Sequence, residues 1–497
     1  MEEVTRPWAA LWALVIGFFM ILIDINIVSV ANPRIMESLQ ADINAVIWVT
    51  SAYLLAYAVP LLITGRLGDR FGPKNLYLGG LVLFTVASLW CGLSTDIGML
   101  IVARVFQGLG AALMTPQTMA VITRIFPPDH RGAAMGLWGA TAGMATLVGP
   151  ILGGVLVDSL GWEWIFFINV PIGIVGFILA WRFVPVLSTH PHKFDIPGVV
   201  LSAVGLFLLV FGIQEGETYN WGTIAGPITV WSLIIAGAVV LVAFILWQKY
   251  SKGEPLLPLG LFRDRNFSLA NIGITAVGFA VTSFSLPLIF YYQLVRGMTP
   301  TQSALLMVPM AVIMAGLAPV VGRYLDRVNP KFINCAGLVL MAVALVWNSL
   351  LMTPDTPILM FLLPSAVLGF ANLGIWAPLS TTATRNLPPR QAGAGSGVYN
   401  TTRQIGSVLG SAAIAVLIQA RLAAELPAGA GGGASEFAGL LPETLHAGFS
   451  TAMGQSIMLP AAVVLLGAAV VLFYEKPKPA IDWDEPEFST ARPGLPD

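Results

Sequence analysis

Stretches of roughly 18 or more mostly apolar residues, each long enough to cross about 30 Å of hydrocarbon, recur along this whole chain. About fourteen are legible, near 8–30, 46–64, 76–94, 97–116, 133–156, 163–182, 196–214, 228–247, 267–290, 301–321, 332–352, 356–378, 393–417 and 452–473. A bilayer interior offers an open backbone no hydrogen-bond partners, so only helices or a closed barrel can cross it. A barrel would show alternating segments of about 10 residues instead. The expected fold is all-α and integral to a membrane. Composition agrees, since 56% of the 497 residues are hydrophobic and only 10% are charged, against about 25% charged in a water-soluble chain. The net charge of -1 carries no signature of nucleic acid or of an acidic partner.

Just past the second stretch lies Gly65-Arg66-Leu67-Gly68-Asp69-Arg70-Phe71-Gly72-Pro73-Lys74. It recurs as Gly322-Arg323-Tyr324-Leu325-Asp326-Arg327-Val328-Asn329-Pro330-Lys331, with Gly, Arg, Asp, Arg, Pro and Lys in register. A charged segment duplicated in an apolar chain implies two homologous membrane halves, as in secondary transporters built from repeats. The copies are separated by eight stretches rather than six. The expected organisation is a six-helix bundle over 1–190, a two-helix insert over 191–255, a second six-helix bundle over 256–474, and a solvated tail over 475–497. Residues 421–450, with their Gly-rich run Ala428 to Gly433, read as a flexible outer segment.

The cations test that topology. With the amino terminus inside, only Arg34, Arg296 and Arg421 fall in outer segments and only Arg104 and Arg403 within helices; every other Lys and Arg falls inside. The positive-inside rule then puts both termini in the cytoplasm of a cell-membrane protein. The first apolar run is too long for a signal-peptide core and is expected to stay as a helix. Cys91 and Cys335 fall at opposite membrane faces, so no disulfide is expected between them.

The motifs resemble those of the major facilitator superfamily: Gly65 to Lys74 resembles its loop signature, and Arg104-Val105-Phe106-Gln107-Gly108 its fourth-helix motif. Gly139 to Gly143, continuing through Gly149-Pro150-Ile151-Leu152-Gly153-Gly154, resembles the fifth-helix signature of its antiporters. Together with Leu22-Ile23-Asp24 and the segment Trp162 to Pro171, they are similar to the fourteen-helix drug:proton antiporters of the multidrug, quaternary-ammonium exporter type. Glu163 departs from the pattern, standing where that family usually has Arg. The resemblance implies a proton-coupled exporter made of two rocking bundles, and it assigns Gly143, Gly149, Pro150, Gly153 and Gly154 to an interface that seals one end.

Asp24 is the one carboxylate well inside an apolar stretch, read as a turn or two from the outer end of its helix. A charge at such depth costs about 2.5–3.5 kcal/mol on insertion scales, so it must be hydrated, paired or protonated. It is read as the proton carrier, with capping of polar neighbours as the alternative. Arg104 and Gln107 share a helix face, and Arg104 is either the partner of Asp24 or a cation snorkelling to the surface. Arg403 is its candidate counterpart in the second half. In the duplicated segment, Gly65, Asp69, Arg70, Gly72, Lys74 and Asp326 are expected to latch the halves on the cytoplasmic side through ion pairs and a helix cap. Tyr53, Tyr57, Asn372, Trp376, Tyr399 and Asn400, with Gln107 and Arg403, are candidates for a substrate cavity, where aromatic faces can stack on lipophilic cations. Generic packing remains the alternative reading for each of them and for the fifth-helix glycines.

No catalytic or metal-binding pattern is legible. The four histidines are placed in loops without metal-ligand partners, and no phosphate-binding loop is present. The expectation is a non-enzymatic transporter without cofactor, acting as a monomer on small lipophilic substrates and protons in a bilayer, with no nucleic acid. An exporter of an endogenous lipid or metabolite is the alternative.

Overall fold

The computed structural model describes residues 6–41, 43–189, 195–216, 218–251, 255–325, 330–385, 387, 391–426 and 441–475. The first half holds α1 (Pro7–Ser38), α2 (Ile43–Ala58), α3 (Leu61–Phe71), α4 (Pro73–Gly92), α5 (Ile97–Ile125), α6 (Pro128–Ser159), α7 (Trp164–Phe167) and α8 (Asn169–Phe183). Next come α9 (Ile196–Gln214), a small hairpin of β1 (Thr223–Ala225) and β2 (Ile228–Thr229), and α10 (Val230–Tyr250). The second half holds α11 (Arg265–Phe290), α12 (Pro300–Leu305), α13 (Val308–Leu325), α14 (Pro330–Leu351), α15 (Leu362–Thr384), α16 (Ala392–Glu425) and α17 (Glu443–Val471).

Among the described residues twelve helices are long and apolar enough to cross a membrane, and a bent pair, Trp48–Ala58 with Leu61–Phe71, adds a further span. The chain is a multi-pass membrane protein. This makes 12 or 13 long apolar spans among the described residues where fourteen were expected; α6, a 32-residue helix, is not one of them.

Several helices run beyond the apolar stretches that announced them, because helical hydrogen bonding does not stop where hydrocarbon does. Helix α1 reaches Ser38, which puts Arg34 on its exposed last turns beside Glu37 rather than in a loop. It also puts Asp24 near the middle of α1 and not close to its end. Arg421 likewise lies on α16. His130 and His446 lie on α6 and α17 and not in the loops expected from hydropathy. Cys91 is buried and both cysteines are free.

The duplicated segment corrects the expectation of a charged loop. Gly65 to Phe71 is helical, and a single residue, Gly72, separates α3 from α4. Pro60 opens α3 after a 46° bend, since proline interrupts helical hydrogen bonding. Gly72 turns the chain with φ +88° and ψ 131°, its N–H closing α3 on the Gly68 carbonyl, and Pro73 begins α4 with its preset φ. The second copy likewise begins on a helix, with Gly322 on α13.

Each copy starts with a glycine pressed against the opposite half. A Cβ on Gly65 would stand 2.4 Å from the Gly393 carbonyl oxygen of α16, and one on Gly322 would stand 2.7 Å from the Ala133 Cα of α6. Without side chains at these crossings the backbones approach closely, as small residues permit between membrane helices. The halves therefore meet at the end of the bundle that carries Arg66, Arg70, Lys74, Arg124 and Arg131, called the basic end below.

Helices α9 and α10 pack on each other through Gly205, Gly212 and Gly237. Val210 and Ile213 of α9 bury against Leu55 of α2 and Val408 of α16, so this helix lies over the seam between the halves. Asp195 fastens its basic end by accepting from Gly198 N, Trp247 Nε1, Gln248 Nε2 and Leu256 N. Burial opposes charge on Asp195, but these bonds outweigh it and hold the carboxyl below its ordinary range. The fastening is therefore present at neutral pH and is lost as pH falls through the depressed value.

The φ and ψ of Gly72 are open almost only to glycine. Gly72→Ala is expected to cost about 1–3 kcal/mol, read as a lower melting temperature in detergent.

Candidate functional site

The polar centre of the first half gathers side chains from four helices around one carboxylate. Asp24, Arg104 and Gln107 are wholly buried and Asn169 is 1% exposed. Arg104 Nη1 donates to Asp24 Oδ2 at 2.5 Å, while Gln107 Nε2 and Asn169 Nδ2 donate to Oδ1 at 2.8 and 3.1 Å. Both amides also donate to Ser88 Oγ, at 3.2 and 3.0 Å, and that hydroxyl donates to the Phe166 carbonyl at 3.0 Å. Arg104 in turn gives Nε to the Val49 carbonyl at 3.1 Å and Nη1 to Gln107 Oε1 at 2.7 Å. The guanidinium lies 4.1 Å from the Tyr53 ring centroid. This geometry excludes the snorkelling alternative for Arg104, which points inward to a carboxylate and not toward a surface.

Local sequence produces the cluster. Arg104 and Gln107 are one turn apart on α5 and so project to one side. Small residues bring the neighbours in: a Cβ on Gly108 would stand 2.5 Å from the Tyr53 carbonyl of α2, and one on Gly149 would stand 2.7 Å from Asn26 Cβ of α1. Gly149 thereby holds α6 against the helix that carries Asp24. Gly153 is buried, and Gly154 lies near Thr301 of α12 in the other half. Gly143 and Pro150 lie on α6, and their side chains are outside the described residues.

From Arg104 an aromatic path leads to the second half. The Tyr53 and Tyr57 rings stack at 6.1 Å and 25°. The Tyr57 hydroxyl donates to Thr115 Oγ1 at 3.2 Å and accepts from Arg403 Nη2 of α16 at 3.3 Å. Elsewhere on the seam, Trp376 Nε1 donates to Asn372 Oδ1 at 2.8 Å. Both line a cavity of about 10 Å³ with Gly139, room for one water. Asn400 donates back to the Ser396 carbonyl at 2.9 Å, which leaves its Oδ1 buried without a partner. Tyr399 is two turns from Gly406, which abuts Thr275 of α11, so it shares the face packed within the second half.

Asp69 joins the halves at the basic end. Its oxygens accept from the backbone N–H groups of Gly393 and Ala394 at the start of α16, each at 3.0 Å. Arg124 donates to Oδ1 at 3.1 Å, and Arg66 stands 4.0 Å from Oδ2. A carboxylate at a helix start satisfies otherwise orphaned N–H groups and favours the helix dipole. Gly72 forms the turn, Lys74 Nζ donates to the Trp181 carbonyl at 2.7 Å, and Arg70 lies over the Phe71 ring at 5.1 Å. Asp326 lies outside the described residues.

The sequence profile described as the Major Facilitator Superfamily matches residues 14–411. The chain belongs to the major facilitator superfamily. It is 52% identical over 473 residues to an uncharacterized MFS-type transporter of Mycobacterium tuberculosis, covering 94% of this chain and 81% of that protein. It is 33% identical over 505 residues to the tetracenomycin C resistance and export protein of Streptomyces glaucescens, covering 95% and 93% of the two chains. Among solved structures, that of the proton:xylose symporter XylE superposes with a TM-score of 0.64 at 13% identity, covering 94% of this chain and 95% of that one. That likeness shows the fold. Major facilitator transporters are not enzymes, and among the described residues no cluster of His, Cys, Asp or Glu could hold a metal ion.

Within this major facilitator chain, reading the sequence missed Ser88 and Asn169, the two neutral groups that complete the Asp24 site. Their only signal was a polar residue in an apolar run. For Asp69 the sequence pointed to ion pairs and a helix cap but not to Arg124 or to the start of α16, because backbone N–H groups have no sequence identity.

Two measurements test the site. Arg104→Ala is expected to cost about 3–5 kcal/mol, most of it recovered when Asp24→Asn is added, because the loss comes from an unpaired buried charge. Unfolding curves of the single and double variants in detergent would instead show additive losses if the pair were unimportant. Asp69→Asn is expected to loosen the basic end. Alkylation of a cysteine placed at buried Ser396 should speed up severalfold, and an unchanged rate would contradict the latch.

Proposed function

We propose that this chain exports lipophilic drugs or toxic compounds by exchange for protons, and that Asp24 carries the proton. The observation that carries this reading is a wholly buried carboxylate midway along a membrane helix, saturated by an arginine and two amides. Resistance and export by a relative such as the tetracenomycin C protein support the export sense.

The chemistry follows from the pair. While ionised, Asp24 is locked to Arg104, and a proton arriving on its carboxyl removes the charge that holds the guanidinium. The two states differ by one charge in a site away from water, where each charge interaction is strong. Proton and cargo occupancy alternate as the halves rock, and each proton entering along the membrane potential contributes about 2.3 kcal/mol per 100 mV. In the present arrangement the basic end is closed by Asp69 on α16 and by the two glycine crossings. We assign that end to the cytoplasm from the positive-inside bias, with both termini there and the chain in the cell membrane. In this reading α6 crosses as well, which makes fourteen spans: a six-helix bundle, the α9–α10 insert, and a second six-helix bundle, working as a monomer.

Purified protein in liposomes with an imposed pH difference tests the exchange. Asp24→Asn is expected to insert normally yet lose proton-driven efflux of lipophilic dyes. Undiminished efflux at equal protein density would refute the assignment.

A further inference from the structure

The two deep arginines are treated very differently by the fold. Arg104 has one Nη buried without a partner but is matched to a carboxylate, an amide and a carbonyl. Arg403 lies about three turns into α16, and the one hydrogen bond the structure gives its guanidinium is the 3.3 Å contact to the Tyr57 hydroxyl. Its Nε is buried without a partner, and among the described residues it makes no ion pair. Guanidinium cannot shed its proton and presents five donors in a plane, so most of that capacity is unused.

The surroundings are also short of partners. Tyr53 Oη, Thr401 Oγ1 and Asn400 Oδ1 are buried without hydrogen bonds, and the stacked Tyr53 and Tyr57 rings add a flat apolar face. The deep charges of the seam, Asp24, Arg104 and Arg403, sum to +1 while Asp24 is ionised and to +2 when it is protonated. The single carboxylate is consumed by Arg104, so the net positive charge opposes a cation and only the weaker pull of the tyrosine faces favours one.

We propose that Arg403 is the specificity-determining residue of the transport path, and that the cargo is a lipophilic ring compound presenting an oxygen acceptor, a carbonyl or a carboxylate, rather than a lipophilic cation. The acceptor takes the place of the Tyr57 hydroxyl on the guanidinium fork, and the ring lies against the tyrosine pair. A neutral carbonyl leaves the Asp24 charge unaltered during loading. An ionised carboxylate leaving as a proton enters moves charge in the same electrical sense, so the potential drives both. This rests on the reading of the seam as the path for cargo, within the export function proposed above.

Four fluorescent probes on one pyrene ring test it by equilibrium binding to the full chain in detergent: a butyl chain, a butyrate, the butyrate methyl ester, and a butyl trimethylammonium. The native protein is expected to bind the butyrate and its ester at least about tenfold more tightly than the butyl and ammonium probes, the worth of one good charge-assisted hydrogen bond. Arg403→Met should bring the butyrate, ester and butyl probes to nearly equal affinity, and Arg403→Lys should keep the preference for butyrate. Tightest binding of the ammonium by the native protein, or an acceptor preference that survives Arg403→Met, would overturn the proposal. Should Arg403→Met not yield folded protein, the ranking in the native chain decides alone. Binding in detergent involves no gradient, so a correct ranking with failed proton-driven efflux would sink the exchange mechanism and not this assignment, and the reverse result would do the opposite.

Discussion

A carboxylate buried among apolar membrane helices can be stabilised only by the protein that carries it. Ionised and bare it would be intolerable there. The fold answers with three donors, one from each of three side chains, and uses four helices to bring the site together: α1 supplies the acid, α5 the arginine and its neighbouring amide, α8 a second amide, and α4 the hydroxyl that holds both amides in place. The glycine contacts between α1 and α6 and between α2 and α5 set the distances at which these groups meet. Packing and polar satisfaction are thus one problem in the first half, since a displaced helix would strand a charge as well as open a gap.

The duplicated segment solves a different problem with the same residues twice. A glycine at the start of each copy lets a helix of one half lie on the backbone of the other, and in the first copy Gly72 turns the chain. In the first copy the acid then caps a helix across the seam. Capping of this kind is strong when made and easily exchanged for water when broken, because exposed N–H groups and a carboxylate are both well hydrated. For the rocking cycle proposed above, a joint of such contacts opens more readily than a deep apolar interface. The dry contact that does lie beside it is made by glycines, which leave little apolar area to re-expose.

How much of this could be read from sequence depended on contrast. Asp24, Arg104 and Arg403 stood out because charges are rare in apolar runs, and their spacing fixed which helix each would occupy. The many-helix membrane fold followed from hydropathy, though the count of fourteen stands against the 12 or 13 long apolar spans among the described residues. Depth along a helix was not legible, because α1 continues to Ser38 past the point where its hydropathy fades, and this moved Asp24 from near an end to the middle. Ser88 and Asn169 were hidden by their neutrality: such residues are compatible with simple back-bonding to their own helix, as Asn400 in fact does. The helical state of Gly65 to Phe71 was masked by its glycines and charges, which resemble a loop until one sees that α3 is buried on the face carrying Gly65, Gly68 and Asp69.

Helix α9 packs against both halves at once. Along α3 the first half lies directly on α16, glycine against glycine. Beyond the bend at Pro60, α2 leaves that line, and the apolar residues Leu55 and Val408 of the two halves meet a third helix, α9, through Val210 and Ile213. Apolar contacts are non-directional, so in the proposed rocking cycle a helix resting on both halves can shift against them without losing a hydrogen bond. Its directional bonds are gathered at the other end, where Asp195 ties α9, α10 and the segment at Leu256 together. A cover fastened at one end by hydrogen bonds and held along its length only by apolar contact can follow a changing angle between the bundles without breaking a polar interaction in the membrane.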